Sequence, residues 1–317
     1  MSTLDLNPDY WQARYQEHLA VRRYSPRTVT SYGVEVRPFF AYLAAHGVDS
    51  LAGITPALVE GYRTELFYLE SRGRRLAFAT QASRLGAVKA FTRFLFRQKV
   101  LLTDPGASVE APRVERGLPR TILSEADVMT LLSAPDVTEV LGLRDRAMLE
   151  VFYSTAVRNS ELCCLTLDAL HLASGELAVR HAKGGKARLV PLGETAIHWV
   201  TVYLAESRPH LLHNPNETTL FLTVTGRMFD RGTMSDLVRL LAERAGLERV
   251  VTPHILRHAC ATHMLARGAG LRHLQELLGH ATVATTQRYT RLDISDLKSI
   301  HRRFHPREQG ETPEGTP

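Results

Sequence analysis

Cysteine is scarce in this 317-residue chain: there are three, and Cys163 and Cys164 are adjacent. An odd, partly contiguous set implies no disulfide framework, and the lack of any C-x-x-C pair argues against a structural zinc site. Long apolar runs are also missing. None approaches the roughly 18 residues that a bilayer crossing requires. The opening Met1-Ser2-Thr3-Leu4-Asp5-Leu6-Asn7-Pro8 has neither a basic start nor an apolar stretch, so no secretory leader is expected. There is no internal repeat, and the one low-complexity stretch is the polar 308–317, expected to be a disordered tail. These absences point to a soluble, cytoplasmic protein.

Acidic residues are missing from one long stretch. Between Glu70 and Asp104 none occurs, while Arg72, Arg74, Arg75, Arg84, Lys89, Arg93, Arg97 and Lys99 do. Net charge over the chain is +6, from 39 Lys+Arg and 33 Asp+Glu. Residues 1–105 hold 14 basic and 9 acidic residues, and the remaining 25 and 24 fall in 106–317. A positive excess concentrated in the first third suggests a polyanionic partner. Lys89, Arg93 and Arg97 recur at i, i+4, i+8 and form one helical stripe, with Arg84 five positions ahead of it. Leu85, Val88, Phe91 and Leu95 occupy other faces and suit a core. The four basic residues are candidate DNA-phosphate contacts; a solvated basic face is the plain alternative.

The length allows two domains. Residues 10–20, 26–46, 56–72 and 78–99 carry apolar residues at helical spacing, with Gly47 and Gly73 as stops and Pro26 and Pro56 at first helical positions. Pro105, Gly106, Pro112, Gly117 and Pro119 then mark 106–120 as an interdomain linker. A second domain over 121–307 opens at an N-cap, Ser124, and is mainly helical. Its interruption is a β-hairpin of Glu176–Arg180 and Ala187–Pro191, with a further short strand near Leu170–Ala173. The expected fold class is mainly α: a helical N-terminal domain over 1–105 and a mainly helical C-terminal domain with a small antiparallel sheet.

Four segments could carry chemistry. Thr252-Pro253-His254-Ile255-Leu256-Arg257-His258 puts His254 and Arg257 on one face of a helix start, a setting that suits an oxyanion. A zinc-protease helix would need glutamate where Ile255 stands. Leu278-Gly279-His280-Ala281-Thr282 has a helix stop at Gly279, an N-cap at Thr282, and His280 between them; Tyr289 lies nine positions beyond His280. Tyr153-Ser154-Thr155-Ala156-Val157-Arg158-Asn159-Ser160-Glu161 sets Arg158 at the start of a helix, capped by Asn159 or Ser160, with Glu161 near its guanidinium. Lys183 stands beside Gly184-Gly185 at the hairpin tip. Each has an ordinary structural reading as core histidine, surface ion pair or solvated lysine.

Taken in order, Arg158, Lys183, His254-x-x-Arg257, Leu278-Gly279-His280 and Tyr289 resemble the active-site signature of the tyrosine recombinases, the phage integrase family. The resemblance covers nearly the whole chain. Ser25-Pro26-Arg27-Thr28 is similar to the opening of the family's N-terminal, SAM-like core-binding domain. Tyr289-Thr290-Arg291 with His305-Pro306-Arg307 is most similar to the Xer subgroup. One departure is Ala156, where relatives commonly carry glycine; a positive φ there would cost alanine about 1 kcal/mol.

The resemblance implies DNA cleavage by Tyr289 through a 3′-phosphotyrosine, with Lys183 as general acid toward the 5′-oxygen. Forming a phenolate at pH 7 costs about 4 kcal/mol, which a base must offset, and His254 suits that role. Arg158 and Arg257 match a phosphorane's oxygens, His280 adds a hydrogen bond, and with two arginines supplying charge no metal ion or other cofactor is expected. The resemblance further implies a tetramer on two duplexes, of this chain alone or with a second recombinase. The amphipathic Ile294, Leu297, Ile300 and Phe304 are expected to dock on a neighbouring protomer. A type IB topoisomerase, a mobile-element integrase and a catalytically silent DNA-binding protein of the same fold remain alternatives. Dimer resolution of chromosomes or plasmids is the setting that the Xer-like ending favours.

Overall fold

The computed structural model describes residues 5–71, 73–112, 122–180, 187–279 and 294–308, and the chain divides into two compact units, Met1–Leu118 and Pro119–Pro317. Among its described residues the first unit holds four α-helices: α1 (Pro8–Val21), α2 (Pro26–Ala45), α3 (Pro56–Tyr68) and α4 (Phe78–Arg97). Local chemistry starts the first three alike. The side chains of Asn7, Ser25 and Thr55 accept the backbone N–H of Tyr10, Thr28 and Leu58, each with proline next at the first helical position. Tyr15, Phe39, Phe40, Tyr62, Phe91 and Leu95 fill the core between them.

Three expectations change here. Helix α3 ends at Tyr68, because Glu70–Ser71 (β1) pairs antiparallel with Arg74–Arg75 (β2) around Gly73 at φ +71°. A two-residue hairpin with both strands exposed offers no periodicity to detect. The first unit also continues past residue 105: Val109 is buried in its core, and the Lys89 ammonium donates to the Val109 carbonyl. Lys89 is therefore committed to its own backbone. Finally, Arg93 lies 3.5 Å from Asp104, which also accepts from Thr92, and Arg84 lies 3.8 Å from Glu35. The stripe is thus partly neutralised, and Arg93 and Arg97 are its exposed members.

The second unit is built around α6 (Val140–Thr155), which is buried along nearly its whole length. Ahead of it, α5 (Glu125–Ser133) opens with a reciprocal capping box between Ser124 and Asp127. After it come α7 (Asn159–Cys163) and a three-stranded antiparallel sheet: β3 (Leu170–His171), β4 (Glu176–Val179) and β5 (Arg188–Pro191), with Leu177 opposite Val190. These strands match the expected ones to within two residues at each end. Then follow α8 (Glu194–Val202), a π-type turn at Tyr203–Ser207, α9 (Arg208–Leu211), α10 (Arg231–Arg244), α11 (Pro253–Ala266), α12 (Leu271–Leu278) and α13 (Ile294–Phe304). The three cysteines are unbonded. No helix among the described residues is long and apolar enough to cross a membrane.

Helix α13 is seated on its own domain in this single chain. Its apolar face is turned onto its own domain: Leu297 is buried, and Ile300 and Phe304 pack against the second core. Two buried imidazoles complete the seat. His301 Nε2 donates to the Ser154 carbonyl at 2.8 Å and His305 Nε2 to the Tyr153 carbonyl at 3.1 Å. Arg307, in the short turn that follows, pairs with buried Glu150 at 2.7 Å. These contacts hold Leu297, Ile300 and Phe304 against the second core within the chain.

Candidate active site

Helix α6 ends at Ala156, which adopts the left-handed conformation at φ +47° and is fully buried. The anticipated positive φ at this position is therefore real. Two residues later, Arg158 is the N-cap of α7, and its backbone N–H donates to Glu161 Oε2 at 2.8 Å. Neither Asn159 nor Ser160 caps the helix, because both already lie within α7. The same Glu161 carboxylate accepts the Arg158 guanidinium at 2.8 Å, as the spacing suggested.

Arg257 comes from the second turn of α11, a helix set by the Thr252 cap and Pro253. It is 7% exposed, and its guanidinium donates to the Ala156 carbonyl and, at 2.6 Å, to the Leu278 carbonyl. His254 lies one turn earlier and is exposed. Arg158 donates to the Gly279 carbonyl at 2.8 Å. The two arginines that the sequence singled out thus meet at the end of α12.

A third arginine joins them. Arg188, the first residue of β5, donates to Glu161 Oε1 at 3.0 Å and Oε2 at 2.8 Å, and to the Leu277 carbonyl at 3.3 Å. Three successive carbonyls at the C-terminus of α12 are therefore held by three arginines, where a helix end ordinarily leaves carbonyls to water. The negative end of the helix dipole favours the same cations. Gly279 closes the helix at φ +61°, and a Cβ there would come within 3.0 Å of the Arg188 guanidinium. Glycine is needed at this position both for its backbone and for that approach.

The charge balance of the cluster is three guanidiniums against one carboxylate, a net of +2. Burial pushes the Glu161 carboxyl up, but hydrogen bonds from Arg188 and from the backbone and side chain of Arg158 together hold it at about 2. Burial, and then the Arg158 charge, lower the Arg257 guanidinium to about 10, so it remains charged at neutral pH. A partly buried net positive site with further guanidinium N–H groups calls for an oxyanion, and phosphate geometry fits. Lys183, His280, Thr282 and Tyr289 lie outside the described residues, in 181–186 and 280–293.

Sequence reasoning overlooked Arg188. A signal existed: Arg188 and Val190 share a strand face, and Val190 is buried, so period-two alternation turns Arg188 inward. A charge on a buried face demands a partner. His263 was missed as well; it is buried, 2.9 Å from the Tyr153 hydroxyl and 2.8 Å from the Leu123 carbonyl, and joins α11, α6 and the start of the domain.

Comparison with known proteins identifies the family. Residues 121–295 match the model of the phage integrase family and residues 13–99 that family's N-terminal SAM-like domain. The chain belongs to the phage integrase family, the tyrosine recombinases. Within it, the chain is 44% identical over 223 residues to tyrosine recombinase XerD of Pseudomonas putida, covering 70% of this chain and 74% of the relative. It is 37% identical over 298 residues to tyrosine recombinase XerC 2 of Ralstonia nicotianae, covering 94% and 85%. Among solved structures, XerH site-specific recombinase bound to its difH substrate aligns with a TM-score of 0.63 at 23% identity, over 86% of this chain and 78% of that one. A lambda integrase dimer bound to a COC′ core site aligns with a TM-score of 0.64 at 19% identity, over 90% and 98%. These last two show the shared fold.

Proposed function

We propose that this chain is a site-specific DNA recombinase that cuts and rejoins strands through Tyr289. The phenol oxygen of Tyr289 attacks phosphorus, the bond from phosphorus to the 5′-oxygen breaks, and a 3′-phosphotyrosine forms. His254 accepts the phenol proton, and Lys183 supplies a proton to the leaving 5′-oxygen. Arg158 and Arg257 balance the charge that grows on the non-bridging oxygens, with His280 adding one hydrogen bond. The ester preserves the energy of the broken linkage, so rejoining needs neither ATP nor a metal ion.

The observation that carries this reading is the net +2 arginine cluster fixed to the end of α12, directly ahead of His280 and Tyr289 in the sequence. Of Arg84, Lys89, Arg93 and Arg97, the arginines are the proposed phosphate contacts of the N-terminal domain, Arg93 and Arg97 the stronger candidates because they are exposed, while the Lys89 ammonium serves the Val109 carbonyl. Identity to XerC and XerD proteins favours resolution of chromosome or plasmid dimers in the cytoplasm over a mobile-element role. The acting species would be a tetramer on two duplexes, made of this chain or shared with a second recombinase.

Nicked suicide duplexes with a randomised core test the chemistry. The wild type should yield an SDS-resistant adduct whose recovered DNA defines the site, and Tyr289→Phe should yield none. Absence of the wild-type adduct leaves a DNA-binding protein without this activity. Holliday junctions formed from two duplexes separate a recombinase from a topoisomerase, which would relax one supercoiled circle and stop there.

A further inference from the structure

We infer that Arg188 is a positioning residue for strand cleavage: its guanidinium fixes Glu161, and through Glu161 the Arg158 guanidinium, while tying β5 to the end of α12. The inference rests on the recombinase reading and assigns Arg188 no contact with DNA.

The geometry is unusually committed. Both terminal nitrogens of Arg188 meet the two oxygens of one carboxylate, and Nε meets the Leu277 carbonyl, so every nitrogen of the guanidinium has a protein partner. Only 13% of the Arg188 side chain and 1% of the Glu161 side chain are exposed. Arg158 shares the carboxylate from the other side through its backbone and its guanidinium. Without Arg188, Arg158 would be held by a single ionic partner and one carbonyl, with nothing but Arg158 fixing the carboxylate itself. With Arg188 bonded to both carboxylate oxygens as well, Glu161 is fixed and the direction in which Arg158 presents its remaining donors is set.

Arg188 also follows Lys183 by five positions on the strand that leaves the hairpin. One side chain therefore links the strand beyond the proposed acid, the carboxylate behind the first phosphate-binding arginine, and the helix end ahead of the nucleophile. A lysine cannot replace it, since an ammonium is a point charge without the fork.

The test uses the full-length protein and the nicked duplex recovered from the wild-type adduct, in single-turnover cleavage across pH. Arg188→Ala should slow cleavage about 100-fold, with duplex affinity changed less than about threefold. Arg188→Lys, which keeps the charge and guards against a folding defect, should also be impaired. In both variants the acidic limb of the pH–rate profile should move to higher pH, because the Glu161 carboxyl has lost its main hydrogen-bonding partner. Glu161→Gln combined with Arg188→Ala should be far less impaired than the product of the two single losses. Wild-type rates in Arg188→Lys, a superimposable pH profile, or fully multiplicative losses would each overturn the positioning role and leave the recombinase reading intact. No adduct from the wild type would overturn both.

Discussion

At the scale of single residues, Ala156 shows how local strain serves the site. Left-handed backbone costs an alanine about 1–2 kcal/mol, and here it aims the Ala156 carbonyl at the Arg257 guanidinium. Glycine would remove that strain but loses about 0.5–1 kcal/mol through unfolded-chain entropy. Ala156→Gly should therefore raise stability by up to about 1 kcal/mol and leave cleavage intact, as urea unfolding and suicide-duplex assays would show. Ala156→Val should destabilise strongly, since a branched side chain meets both the wrong φ and a closed core. The sequence exposed this position only because a family resemblance named glycine there. It hid Arg188, which looks like any charged residue in a short strand until its alternation with Val190 is weighed.

At the scale of elements, helices were legible wherever a cap and an N1 proline coincided with an apolar period, as at Ser25-Pro26, Thr55-Pro56 and Thr252-Pro253. The short pairing of β1 with β2 was not, because it buries nothing. Helix α13 was legible as an amphipathic helix, but amphipathicity does not say whose core is covered. Within the chain the helix is seated by two histidines that no periodicity marks. Burial lowers the His301 imidazole to about 4 despite its hydrogen bond to the Ser154 carbonyl, and burial, with the neighbouring His301, also holds His305 well below its ordinary value. A histidine held below its ordinary value of 6.5 is neutral in the fold and takes a proton on unfolding. Stability is thus full above about pH 6.5 and falls as pH drops toward 4. Lowering pH from 7 to 5 should cost about 2 kcal/mol through His301 alone. Denaturant midpoints across that range should show it, and His301→Gln should flatten the dependence.

At the scale of the whole molecule, the uneven charge and the linker signals are legible in the sequence, whereas the extent of the first unit is decided by packing. Val109 shows why: a run rich in proline and glycine still packs when one apolar side chain finds a core. The basic stripe was legible as a pattern and misleading as an inventory, since acids distant in sequence, Glu35 and Asp104, return to meet it. Arg93→Ala with Arg97→Ala should lower the slope of log affinity against log salt by about 2 on duplex DNA, measured by anisotropy. An unchanged slope would remove the stripe from the DNA interface. Lys89→Ala should instead destabilise the first unit by about 1–3 kcal/mol, because its ammonium serves the Val109 carbonyl.

The three arginine-held carbonyls of α12 have a consequence for which sequence changes the family can accept. Each residue advances a helix by about 100°, so inserting or deleting one amino acid between Leu271 and Leu278 would point Leu277, Leu278 and Gly279 away from their donors. The length of this two-turn helix is therefore a phase setting. Drift in composition along it costs packing alone, whereas a single-residue change in its count would take the arginine cluster apart while the rest of the domain still folded.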